Sequence, residues 1–323
     1  MKIKPIIISL LVLACFSLYA SQDAYTIIKR LPKAELHIHL GGAYPLSYLR
    51  TIATPEQFAA LQMGLDKVAD KVEYQNIFSA FGLVSQIVNS EQKVEDGTYA
   101  LCKELQADSV EYVEIRTGLK NMGNGYQSYL EAVLRGIERA MCANFRACVI
   151  LSLQRNATMA YAQATIDLAR AYKDRGIVGI DISGDSAIGD IRPILPIVLQ
   201  AKTAGLKILV HIGESQFETD QMLLLETLQP DRVGHAVHLC DEAYQWIIAH
   251  KIPVEVCLTS AELTMMIDHH TMHPWIAYYR KGHPIIIGTD DPLLFRTNLT
   301  NEYMLLYDAG LLTLEEIANL THN

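Results

Sequence analysis

The chain has 323 residues, 50% of them hydrophobic and 20% charged, with a net charge of −9. That length and apolar content provide for one large core, as α/β barrels do. The acidic balance excludes a nucleic-acid partner held through phosphate contacts.

The first residues read as a leader. Lys2 and Lys4 precede an apolar run from Ile6 to Leu18, and the small residues Ala20 and Ser21 follow. A basic start, an apolar middle and a small-residue end predict a signal peptide over residues 1–20, cut after Ala20, and hence an exported protein, periplasmic or secreted. The run falls short of the about 20 apolar residues that a membrane span needs, so no stable membrane insertion is expected. Reading Val12-Leu-Ala-Cys15 as a lipid-attachment box is weaker, because Leu13 fits it poorly. Removing Lys2 and Lys4 takes the charge from −9 to −11. Residues 21–323 are expected to form a single domain. Five cysteines remain there (Cys102, Cys142, Cys148, Cys240 and Cys257), an odd number without framework spacing. They read as mostly buried small apolar residues.

Beyond the leader, short β-rich runs alternate with helical ones, the pattern of parallel βα units. The predicted strands are 34–40, 110–116, 146–153, 177–182, 207–212, 232–235, 253–257 and 284–288. Eight such runs predict a (β/α)8 TIM-type barrel. Ile208-Leu-Val-His and Ile285-Ile-Ile are nearly all apolar, as strands covered on both faces are. The long gap from Gly41 to Ser109 carries helical periodicity at Ile77, Phe78, Phe81, Val84 and Val88. It predicts a helical insertion after the first strand, either an apolar wall above a substrate or ordinary helix packing. Gly118 to Gly125, with Asn121 and Asn124, reads as a turn-rich loop at the barrel mouth.

Polar residues uncommon in buried strands stand at the C-terminal ends of four runs, the end of a barrel that carries active sites. The first ends with His37 and His39, which share a strand face because side chains alternate. The fifth ends in His211-Ile-Gly-Glu214, the sixth in His235 and the eighth in Asp290-Asp291-Pro. Each has an ordinary explanation: a packed histidine, a carboxylate on a helix dipole, a helix cap. Their coincidence at one end favours a site. Three histidine nitrogens and a carboxylate oxygen make a zinc shell with an open position for water, whose proton the metal loosens. Glu214 and His235 remain as titratable groups for acid and base work. The fourth run, Gly179-Ile-Asp-Ile-Ser-Gly184, has no lysine to bridge two ions, so one metal is expected. His269-His270-x-x-His273 reads as exposed polar residues rather than a second metal site.

Leu31-Pro-Lys-Ala-Glu-Leu-His-Ile-His-Leu40, Asp181-Ile-Ser-Gly-Asp185, His211-Ile-Gly-Glu214, Arg232-Val-Gly-His235, Val254-Glu-Val-Cys257 and Thr289-Asp-Asp-Pro-Leu-Leu-Phe295 closely resemble the adenosine deaminase family of the amidohydrolase superfamily. The motifs come in the family's order and span Leu31 to Phe295. The resemblance implies a mononuclear zinc barrel that hydrolyses adenosine, deoxyadenosine or a related 6-aminopurine, giving inosine and ammonia from adenosine. Its partner is then a small-molecule purine nucleoside; oligomeric state is not implied. His37, His39, His211 and Asp290 match the zinc ligands. His235 matches the residue that orients or deprotonates the metal's water, and Glu214 the acid that protonates purine N1. Gly184 matches the amide reaching N3, Asp291 the carboxyl meeting N7, and His39 also lines the substrate position.

The chain departs from the family at several places. Where the family has an Asp for the ribose 5′-hydroxyl, this chain has Gly41, which leaves room for a 5′-modified adenosine or for the free adenine base. Leu258 stands for a usual proline and Ala236 for a usual glycine; both are expected to reshape loops. The chain stops at Asn323, earlier than is common, so a closing helix is expected to be missing. Two competitors remain: a secreted purine-binding protein without turnover, and another hydrolase on this barrel, such as an esterase or phosphotriesterase.

Overall fold

A computed structural model describes residues 22–71, 77–186 and 188–321. The signal peptide expected over 1–20 lies outside the described residues. Eight parallel strands follow one another around a barrel: β1 Lys33–His39, β2 Val110–Thr117, β3 Arg146–Gln154, β4 Ile177–Ser183, β5 Lys207–Ile212, β6 Arg232–His235, β7 Val254–Val256 and β8 Ile285–Ile287. The last gap closes just beyond β8. Asp290 N–H donates to the His37 carbonyl at 2.8 Å, and His39 N–H donates to the Asp290 carbonyl at 2.8 Å. The seam of the barrel therefore runs through three of the residues singled out above.

All eight predicted strands form, with ends displaced by a residue or so. They were readable because both faces are covered: Val149, Ile180, Leu209, Val233 and Val254 are fully buried. Inside the barrel the alternate positions are polar, and they are paired across it. Ser152 Oγ donates to Asp181 at 3.2 Å, Arg116 joins Glu255 and Asp181, and Arg232 Nε donates to Glu255 at 2.7 Å. Buried charges persist only with such partners.

Among the described residues the predicted insertion includes the helices Leu46–Ile52, Pro55–Ala69, Phe78–Ile87 and Glu91–Ala107. Thr54 starts the second with a capping box: its hydroxyl accepts from Gln57 N–H, and the Gln57 side chain accepts from Thr54 N–H, with Pro55 in the first turn. The periodic stripe divides between a cavity wall and the core. Ile77, Phe78 and Phe81 line the barrel-mouth cavity, while Val84 and Val88 are buried in the core.

One local expectation changes. Only Cys102 and Cys257 are buried; Cys142 and Cys240 are exposed, Cys148 lies between, and all five are free. Ala236 has a left-handed backbone, φ +53°, where the family's glycine would be unstrained. Its amide and carbonyl, bonded to Ile212 and to the Trp275 indole at 2.8 and 2.7 Å, hold it there.

Candidate active site

The C-terminal mouth of the barrel opens into a cavity of about 810 Å³. The predicted site residues converge at its floor. His37 Nε2 and His39 Nε2 each lie 3.4 Å from Asp290 Oδ1, and His39 Nε2 lies 3.0 Å from His211 Nε2. His235 Nε2 is 3.5 Å from Glu214 Oε1 and 3.9 Å from Asp290 Oδ2. Gly184 and Asp291 line the same cavity.

The strand pattern sets this convergence. β1 aims residues 37 and 39 at one interior, β5 carries His211 one residue before its end, and β6 ends on His235. His235 and Asp290 sit in left-handed backbone, φ +59° and +62°, a strain that persists only where surroundings impose it. The two seam bonds impose it at Asp290.

A second layer of carboxylates fixes the imidazoles. His37 Nδ1 pairs with Glu255 at 2.8 Å, and His211 Nδ1 pairs with Asp181 at 2.9 Å. A carboxylate on Nδ1 takes that N–H and leaves a lone pair on Nε2. Burial favours the neutral form of Glu255, but Arg116 and Arg232 outweigh it and hold the carboxyl well below its usual range. Asp290 is oriented by Ser260, whose hydroxyl donates to Oδ2 at 2.7 Å. Arg116, Asp181, Glu255 and Ser260 were not assigned roles from sequence. The signal available was a charge inside an otherwise apolar strand, as in Val254-Glu-Val256.

The donor set fits a divalent cation. Buried Nε2 of His37 has no hydrogen-bond partner, and the Nε2 atoms of His39 and His211 face each other. Lone pairs directed at one point repel unless a proton or a cation lies between them. Donor separations of 3.0–3.4 Å match the edges of a shell with bonds of about 2.1 Å. Burial and Arg116 oppose charge on His37, yet Asp290 and Glu255 raise it to about 9, a field that equally draws a metal. Burial holds His39 neutral, lowering it to about 3. Asp181 also lies in the cluster, but it engages the far nitrogen of His211 and so supports rather than ligates.

Burial, then the adjacent Asp290 charge, keeps the Asp291 carboxyl well above its usual range, so it carries a proton. It packs on Gly42: a Cβ there would lie 1.9 Å from Asp291 Oδ1. Gly42→Ala is therefore expected to displace Asp291 and cut turnover by about 100-fold while metal content stays unchanged. Activity and metal assays on the same preparation check this; normal turnover would contradict it.

The other histidine motif assembles only in part: His269 and His270 come together with Glu262, and His273 stays apart. His273 is buried and its ring nitrogens have no partner, a departure from the exposed reading. His270 Nδ1 pairs with Glu262 at 2.9 Å, and the Lys71 ammonium lies 3.3 Å from the other Glu262 oxygen, where it competes with any metal.

An eight-stranded parallel barrel with a histidine–carboxylate cluster at its C-terminal mouth defines a class of barrel hydrolases that work through a divalent metal. The profile described as adenosine deaminase matches residues 32–323, and the chain belongs to that family. It is a hydrolytic deaminase acting on a C–N bond. An N6-methyl-AMP deaminase from Danio rerio is 28% identical over 311 residues, 91% of this chain and 89% of the relative. The crystal structure of the arabidopsis N6-mAMP deaminase superposes with a TM-score of 0.83 at 31% identity, over 91% of this chain and 92% of that one. The structure of arabidopsis ADAL complexed with IMP gives 0.83 at 30% identity, over 91% of each.

Proposed function

We propose that this enzyme removes the 6-amino or 6-methylamino group from an adenine nucleoside 5′-monophosphate, with N6-methyl-AMP as the leading substrate. Unmodified adenosine, the first expectation from sequence, becomes the secondary reading. The names of the relatives support the change, and so does the cavity wall. Gly41 provides no carboxylate that would repel a 5′-phosphate. A Cβ on it would lie 3.4 Å from Phe81 Cδ1. One helical turn on from Phe81, Ser85 accepts from the Lys120 ammonium at 3.3 Å. Lys120 lines the cavity and is half-buried, and burial lowers its pKa. An anion at this wall would relieve that cost. Lys120 is the observation that carries the reading, because Arg116, the other Lys or Arg among the described residues lining the cavity, is committed to Glu255 and Asp181.

His37, His39, His211 and Asp290 would hold one Zn²⁺, the donor set suiting that ion. When bound, the metal supplies charge that acidifies a water and makes it nucleophilic at neutral pH. The chain's own residues do the rest. Glu214 holds a proton for purine N1, which makes C6 electrophilic. His235, buried and with no hydrogen-bond partner at either ring nitrogen, accepts the proton released as water adds to C6. Protonated Asp291 donates to N7, and the Gly184 amide donates to N3. The C6–N6 bond then breaks, and the amine leaves with the proton that His235 took from the water. Ile77, Phe78 and Phe81 exclude bulk water and cover the base. A binding protein without turnover has no use for these proton carriers. We also propose export through the leader, checked by finding Ser21 as the first residue of the mature chain.

The test is ammonia or methylamine release from N6-methyl-AMP, AMP, adenosine and adenine. The nucleotides should be turned over with the highest kcat/KM; adenosine outperforming both would overturn the reading. Lys120→Met should raise KM for the monophosphates about 10–100-fold, the worth of one charge-assisted bond, and leave adenosine unaffected. An equal effect on both substrates would remove Lys120 from phosphate recognition.

A further inference from the structure

We infer that Arg155 and Glu218 form a clamp that positions Glu214 for proton delivery, an inference resting on the proton-donor role proposed above. Arg155 directly follows β3 and is 2% exposed. Its Nη2 donates to the His211 carbonyl at 2.8 Å and to Glu218 Oε1 at 2.7 Å. Its Nη1 donates to both Asp220 oxygens at 2.6 Å. The second Glu218 oxygen accepts the Gly213 N–H at 2.6 Å. The clamp thus grips the carbonyl of His211 and the amide of Gly213, the two peptide groups on either side of Ile212. Glu214 is the next residue.

Gly213 explains why a clamp is needed. It has a left-handed backbone, φ +68°, and no Cβ, so its own torsions are the softest in the His211–Glu214 stretch. A small rotation there would swing Glu214 away from its 3.5 Å approach to His235. An ion pair serving the fold alone would not divide one carboxylate between a guanidinium and this particular amide. Arg155 is buried and always charged, so its bonds to Glu218 and to the His211 carbonyl are charge-assisted and only weakly screened. Arg155 and Glu218 touch no reacting atom and are positioning residues.

The test uses the zinc-loaded enzyme and compares Arg155→Met, Arg155→Lys, Glu218→Gln, Glu214→Gln and the Arg155→Met/Glu214→Gln double variant. Arg155→Met should lower kcat about 100-fold, the effect of displacing a reacting group by an ångström. Its KM should stay within about threefold, and one metal per chain should be retained. Arg155→Lys, able to hold either Glu218 or the His211 carbonyl, should recover about tenfold of the loss. The double variant should fall within about threefold of Glu214→Gln alone, because a clamp acting through Glu214 has nothing left to position. Losses that multiply in the double variant would overturn the inference, as would loss of metal from Arg155→Met. Full activity of Arg155→Met beside an inactive Glu214→Gln would overturn the clamp alone. Full activity of Glu214→Gln would overturn the proton-donor reading and the clamp with it. If Arg155→Met does not fold, Glu218→Gln decides by the same comparisons.

Discussion

Glu214→Gln should retain one metal per chain and lose about 10²–10⁴-fold in kcat, the usual worth of a positioned acid. Glutamine keeps the shape of the side chain and loses the transferable proton. KM should change little, because the amide can still face the purine ring. Addition of water at C6 interrupts the ring's aromaticity, and without a proton at N1 the developing charge has no place to go. The assay is steady-state amine release, with metal analysis of the same sample. Turnover within a few-fold of the parent would remove Glu214 from the chemistry.

Asp290→Ala should have the larger effect, abolishing both metal retention and turnover. Asp290 is the donor shared by His37 and His39, at 3.4 Å from each, and its backbone forms both bonds of the barrel seam. The alanine keeps those backbone bonds and removes the carboxylate, leaving three neutral imidazoles. It also leaves Ser260 without its acceptor. Thermal unfolding of the metal-free protein should change little, since the field lost is one that serves the cation. A variant that keeps its metal and its activity would show that the ion is held elsewhere.

How much of this could be read in advance follows from which interactions are local. Strand periodicity places His37 and His39 on one face, and the abrupt polar ends of β5, β6 and β8 mark the mouth. Strands buried on both faces leave runs such as Ile285-Ile-Ile, which are hard to mistake. The supporting layer was not legible, because its partners lie far apart in the chain: Glu255 meets His37 across 218 positions, and Arg155 meets Glu218 across 63. Glu255 appears in sequence only as a lone charge between two valines, and Arg155 and Glu218 as ordinary charges in polar stretches. At 269, 270 and 273 the reading as exposed polar residues holds for His269 and fails for His273, which a short helical turn over His270–Met272 leads into a buried position. Gly41 was legible as a departure; that its place is covered by Phe81, on the helix that also carries Ser85 to Lys120, required the fold.

Chelator titration of the purified enzyme, with bound metal and amine release measured on the same samples, addresses the central claim most directly. The geometry predicts one divalent ion per chain, activity falling in proportion to the ion removed, and recovery on adding one equivalent of zinc. A metal-free preparation that still releases amine at the full rate would contradict it.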